Sequence, residues 1–275
     1  MDQDYDAYLG NKKNCRNENM HKYCCQHNLN PSTIKQVTAY IASQLQKEYP
    51  SLFEFEDSGG NCFFCNVRTH EAIAWNKNTM QLYNNNYISL FDALCSQAQE
   101  DFAICQLENN KDWLAAIHVC SPNHWSPQQK TGKPFDAVHA PVAGMQKTFG
   151  HYFKMLQSIV QKGPFTRFAW GIATDNRLNH HPEPPPSINK TAWEGRQIND
   201  AARLFIRTER QNMIGFPEVN AFLFTIRTYF YEADDLNDYE KKQLWLAVQS
   251  MPPESLAYKG LTNAKGCLAK KLSAG

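Results

Sequence analysis

Two runs decide the fold: Ala202-Arg-Leu-Phe-Ile-Arg-Thr-Glu-Arg-Gln211 and Asn220-Ala-Phe-Leu-Phe-Thr-Ile-Arg-Thr-Tyr-Phe-Tyr231. In the first, Leu204 and Ile206 alternate with Arg203, Phe205 and Arg207, the two-residue period of a strand. The second is almost wholly β-branched and aromatic, the residues that suit a pleated surface. Gly215-Phe216-Pro217 reads as the break between them. Upstream, shorter strand patterns fall at 52–56, 61–68, 73–75, 101–107, 112–119 and 165–173. Helical spacing appears at 31–49 (Ile34, Val37, Ile41, Leu45), at 89–99 behind a Ser89–Asp92 cap, at 145–160 and at 237–249. Strands follow strands with few helices between them. This predicts an α+β fold, a mainly antiparallel sheet flanked by helices with an N-terminal helical extension, rather than a βαβ series.

The chain of 275 residues is long enough for a substantial core. The expected organisation is a polar segment at 1–30, one domain at 31–261 and a tail at 262–275. Basic and acidic side chains number 28 and 27, a net charge of +1, which argues against a nucleic-acid surface. No apolar run approaches a membrane span. The acidic start, Met1-Asp2-Gln3-Asp4-Tyr5-Asp6, is unlike a signal peptide, and nine scattered cysteines fit reduced thiols, so a cytoplasmic location is expected. Cys15, His21, Cys24, Cys25 and His27 crowd the N-terminus without the loop spacing of a zinc module. Cys62-Phe-Phe-Cys65 has redox spacing, but in a strand pattern it reads as two core cysteines on one edge.

Between the strand hairpin and the helix at 145 lies His118-Val-Cys-Ser-Pro-Asn-His-Trp125, followed by Lys130-Thr-Gly-Lys133 and Val138-His-Ala-Pro-Val142. Three of nine histidines sit here, next to turn-forming prolines. A neutral imidazole beside a stiff turn suits a transition metal or heme iron; an ordinary loop is the plain alternative. Glycine-rich phosphate loops, a Gly-x-Ser-x-Gly elbow and His-Glu-x-x-His are missing. The strand arginines either join an internal network, with Glu209 and Arg227 as partners, or turn toward an anionic ligand. His180-His-Pro-Glu-Pro-Pro-Pro186 reads as a loop with solvated histidines.

These motifs resemble, in order, the heme-dependent oxidative N-demethylase alpha-subunit family. The resemblance also takes in Glu100-Asp101, Arg207-Thr-Glu-Arg-Gln211 with Pro217, Phe224-Thr-Ile-Arg-Thr-Tyr229, and Met251-Pro to Tyr258-Lys-Gly-Leu261, and covers roughly 50–261. Val-Ala-Gly at 142–144 departs from the family's usual Val-Pro-Gly. The resemblance implies a PAS-like fold carrying heme b. It implies a monooxygenase that uses O2 on a small amine or amino-acid-like substrate, by oxidative N-demethylation or hydroxylation. Electrons, ultimately from NADPH, would come through a separate flavin and iron–sulfur reductase. It implies a histidine ligand to iron; His139 is the preferred one, with His118 and His124 in reserve. Trp125, Lys133, Arg207 and Arg210 join His139 and His118 as expected cofactor contacts. Glu209, Tyr229 and Arg227 are the expected substrate-facing residues. The alternative function is a non-catalytic heme sensor or carrier; a zinc or thiol-redox protein is a third.

Overall fold

A computed structural model describes residues 1–83 and 86–272. The two long runs pair along their whole length as β8 (Phe205–Phe216) and β9 (Ala221–Glu232). β5 (Asp101–Glu108) and β6 (Lys111–His118) form a hairpin whose turn residues, Asn109 and Asn110, both have positive φ, the conformation tight hairpins require. With β1 (Cys24–Gln26) and β7 (Phe165–Ala173) they complete an antiparallel sheet in the order β1-β6-β5-β9-β8-β7. β2 (Phe53–Ser58), β3 (Asn61–Asn66) and β4 (Glu71–Asn76) make a second, three-stranded meander. The α+β class, the mainly antiparallel sheet, the flanking helices and a helical N-terminus are as the sequence predicts.

One face of the large sheet carries the main core. Phe102, Ile104, Ala116 and Leu223 pack against α2 (Pro31–Glu48), α3 (Leu90–Cys95) and the small sheet. Ser89 caps α3, its hydroxyl accepting the Asp92 N–H at 3.1 Å. At the β7–β8 end, α9 (Asp238–Gln249), α10 (Pro253–Tyr258) and α11 (Lys265–Leu272) pack on Ile172, Leu204 and Ile206.

Several expectations change. The polar segment at 1–30 is packed onto the domain: its helix α1 (Tyr5–Asn19) buries Tyr5, Tyr8, Lys12 and Cys15 along one stripe. The tail contains α11, with Leu268 and Leu272 fully buried; residues 273–275 of the expected tail lie outside the described residues. The helix expected at 145–160 is two helices, α6 (Gln146–Phe149) and α7 (Tyr152–Lys162), separated at Gly150 and His151. β8 continues through Gly215, paired with Phe222, and α7 crosses it there. A Cβ on Gly215 would sit 2.1 Å from the Val160 carbonyl oxygen, so only glycine fits. Cys62 and Cys65, three apart on β3, point to opposite faces and do not share an edge.

Glu209 and Arg227 are not partners. In register, Arg210 faces Arg227 and Glu209 faces Thr228, so Glu209 and Arg227 emerge from opposite sides of the sheet. Two arginines directly across from each other repel. Each has its own acid: Arg210 contacts Glu100 at 3.3 Å, and buried Arg227 contacts Asp2 at 2.6 Å.

Candidate functional site

The other face of the large sheet is roofed by short helices and leaves a cavity of about 650 Å3, a volume typical of small-molecule and cofactor sites. Its floor is mostly apolar: Ile117, Val119, Phe222, Phe224 and Ile226 from the central strands. Arg207, Glu209 and Gln211, alternate residues of β8, put polar groups on the same floor. The roof comes from α5 (Phe135–His139), α7 and the 140–145 turn, with Trp125 at one side and Tyr258 and Lys259 at the other.

His139 is built into this roof by a chain of local contacts. Beyond β1 the edge of β6 pairs with the following segment instead: Gly132 N–H donates to Leu114 O at 2.9 Å, and Leu114 N–H to Lys133 O at 3.0 Å. Gly132 has φ of +80°, and a Cβ there would meet the His27 ring at 2.9 Å, so this pairing requires glycine. The preceding residues form α4 (Pro127–Lys130). Asp112 on β6 then accepts the Phe135 N–H at 2.6 Å, fixing the start of α5. One turn later His139 Nδ1 donates to the Phe135 carbonyl at 2.8 Å. The imidazole stacks on the Phe135 ring at 4.0 Å between centroids, and Phe135 stacks in turn on Tyr152 at 5.4 Å.

This geometry sets the chemistry of the ring. Burial depresses the His139 pKa to about 4; the Phe135 carbonyl pulls the other way, and Arg167 and Lys130 add to the depression. Near neutral pH the imidazole is therefore uncharged. With Nδ1 committed as a donor, Nε2 carries the free lone pair. Among the described residues Nε2 has no hydrogen-bond partner.

The polar floor is a ladder along β8. Arg207 Nε donates to Glu209 Oε1 at 3.2 Å, Gln211 Nε2 donates to Glu209 Oε2 at 2.9 Å, and Arg167 Nε donates to Gln211 Oε1 at 2.7 Å. Each Glu209 oxygen thus keeps accepting capacity. Arg207 is almost saturated: its terminal nitrogens also donate to Ser121 O (2.6 Å), Thr228 Oγ1 (3.2 Å) and Leu178 O (3.3 Å). It clamps two loops to the sheet. Lys130, Lys133, Arg167 and Lys259 supply further positive charge around the cavity.

A family model described as "Haem-dependent oxidative N-demethylase, alpha subunit-like" matches residues 1–268. The chain belongs to this family. The family's description names a heme, and the cavity's donor set fits one. A heme needs an apolar slot, a neutral nitrogen donor and cations for its two carboxylates. The floor, His139 Nε2 and the lysines and arginines around the cavity provide these three things.

Of the residues expected from sequence, the structure brings His139, Trp125, Lys133, Arg207 and Glu209 to one cavity. It does not bring Arg210, Arg227 or Tyr229 there, because strand parity turns them to the other face. Arg227 is sandwiched by Tyr8 (3.8 Å) and Tyr229 (5.0 Å) beneath α1. His118 is fully buried at the end of β6, with Nε2 on Asp92 at 3.1 Å, and lies off the cavity. His124 contacts the His180 ring at 5.3 Å; burial, then Arg196, His180 and Arg207, depress its pKa to about 3. His180 and His181 are buried rather than solvated: Asp175 pairs with His180 at 2.9 Å, and the Glu183 carbonyl lies 3.1 Å from His181 Nδ1. The polar cavity residues that the sequence expectation left out include Arg167, Gln211, Lys130 and Lys259. The first two share the cavity-facing parity of Glu209 across paired strands, and that parity was the available signal.

Proposed function

We propose that the chain is the heme-carrying subunit of a monooxygenase that oxidises a small amine or amino-acid-like substrate. His139 Nε2 would be the iron ligand. The observation that carries this reading is the combination at His139: a neutral ring, its other nitrogen locked to a backbone carbonyl, and its free lone pair on an apolar cavity. Bound heme b would supply the activation of O2, with electrons ultimately from NADPH delivered by a separate flavin and iron–sulfur reductase.

The chain's own residues bind, orient and exclude water. Phe135 and Tyr152 hold the His139 ring plane, and the Phe135 carbonyl holds its tautomer. Lys133, Lys130 and Arg167 are placed to pair with carboxylates. Glu209 is the acceptor for a cationic amine: it is 15% exposed, faces the cavity and has unused lone pairs. Gln211 and Arg207 fix the direction of that carboxylate. The apolar floor keeps water from the oxidised C–H or N–H bond.

The test is turnover. Heme-loaded protein, O2, NADPH and a surrogate reductase are supplied with a series of methylamines, and formaldehyde and the demethylated amine are measured. Stoichiometric formaldehyde, with a raised KM in Glu209→Gln, supports the proposal. NADPH consumption without oxidised product from any amine class contradicts it.

A further inference from the structure

Where β5 begins and β6 ends, outside the lining of the heme cavity, three side chains with metal-binding atoms converge, one of those atoms without a partner. One donor atom from each of Asp101, His118 and Cys120 lies within 4.8 Å of the other two, and all three residues are buried. A tetrahedral zinc holds nitrogen, sulfur and oxygen donors about 3.4–3.8 Å apart, so closure needs at most about 1.5 Å of side-chain movement.

His118 gives the site its direction. Its Nε2 faces Asp92 Oδ1 at 3.1 Å, and Asp92 is gripped by both terminal nitrogens of Arg16, at 2.9 and 2.6 Å. An ionised carboxylate only accepts, so Nε2 carries the proton and Nδ1 the lone pair. That Nδ1 atom is fully buried and has no hydrogen-bond partner among the described residues. A carboxylate behind the ring and a bare nitrogen in front is how a metal-binding histidine is usually held. Asp101 is fixed as well, accepting the Cys120 N–H at 2.9 Å and the Ser121 N–H at 2.8 Å. Each oxygen still has a lone pair free. Cys15 packs against Cys120, its thiol donating to the Cys120 carbonyl at 3.6 Å, so it lies outside the ligand set.

We propose that Asp101, His118 and Cys120 form a structural site for a thiophilic divalent cation of the zinc class, independent of the heme cavity. Binding takes up the metal and releases the Cys120 thiol proton to solvent, leaving a carboxylate and a thiolate to balance the two positive charges. Lys12 lies close by, its ammonium bound at 2.6 Å to the Cys95 and Glu100 carbonyls, and repels a cation. A ligand set with two anionic members is therefore required. The site ties the start of β5 to the exit of β6, and the Asp92–Arg16 pair behind His118 links it to α1.

The experiment uses full-length protein, stripped with a chelator and titrated with zinc and with cobalt(II). We expect one zinc bound per chain, a melting temperature that rises with zinc concentration, release of protons on binding, and a thiolate-to-cobalt charge-transfer band. Cys120→Ser should abolish the band, and Asp92→Asn should weaken binding about 10–100-fold; Cys25→Ser, at a half-buried cysteine on β1, should do neither. If Cys120→Ser fails to fold, the wild-type band and proton release decide. The proposal is overturned if wild-type protein shows no zinc-dependent melting shift and no charge-transfer band. A band that survives in Cys120→Ser overturns it too.

Discussion

Replacing Arg207 by lysine separates two roles that the sequence left open, a structural clamp and an anion contact. Arg207 is 2% exposed and makes four side-chain hydrogen bonds, to Glu209, Ser121, Thr228 and Leu178. They leave from three nitrogens of a planar fork that reaches two loops and a neighbouring strand. A lysine ammonium is a single point with three donors on a different stem, and it cannot serve Glu209, Ser121 and Leu178 together. At least two bonds are lost, one of them to Glu209 or to a carbonyl left buried. Each charge-assisted bond is worth about 1.5–3 kcal/mol, so Arg207→Lys should destabilise the heme-free protein by about 3–6 kcal/mol. Urea unfolding followed by tryptophan fluorescence measures this. Heme affinity of the folded variant should change by less than tenfold, because Lys130, Lys133 and Arg167 remain. A variant that unfolds at the wild-type midpoint yet has lost heme affinity would refute the clamp.

Other consequences are direct. In heme-free protein, the His139 pKa near 4 lies below its ordinary 6.5. Above pH 7 this costs nothing; as pH falls from about 6.5 toward 4 the unfolded chain takes up a proton the folded one refuses. Stability should drop by roughly 3 kcal/mol relative to His139→Gln at the lower end, as read from unfolding midpoints across pH; parallel curves would contradict this. Gly215→Ala must push α7 off β8 and should cost about 3 kcal/mol, seen as a lower melting temperature. Tyr229→Phe should leave amine turnover within twofold, because Tyr229 faces away from the cavity, whereas Glu209→Gln should raise KM at least tenfold.

The two long strands were legible because Leu204 and Ile206 alternate with Arg203, Phe205 and Arg207 and because 221–231 is largely β-branched and aromatic, and α2 because its apolar stripe is aliphatic. α1 was not, because its inward stripe includes Lys12, whose stem is buried while its ammonium finds two backbone carbonyls. His139 stood out through its turn chemistry, but its bond to Phe135 needs the helix to form first. Arg227 looked like a ligand contact since an arginine in an apolar strand demands an anion. Its anion is Asp2, 225 residues away, which no local pattern announces. Parity alone could have divided the arginines: Arg207 lies on one face, Arg210 on the other, and the register fixes Arg227 beside Arg210. The buried His180–Asp175 pair escaped because a proline-rich loop usually faces water.

A heme titration of wild-type protein and of His139→Gly shows whether His139 holds the iron. Wild type should take up one equivalent with a sharp Soret band of histidine-ligated iron. His139→Gly should lose that band and recover it when imidazole is added to fill the space. An identical Soret band in His139→Gly without imidazole would contradict the assignment.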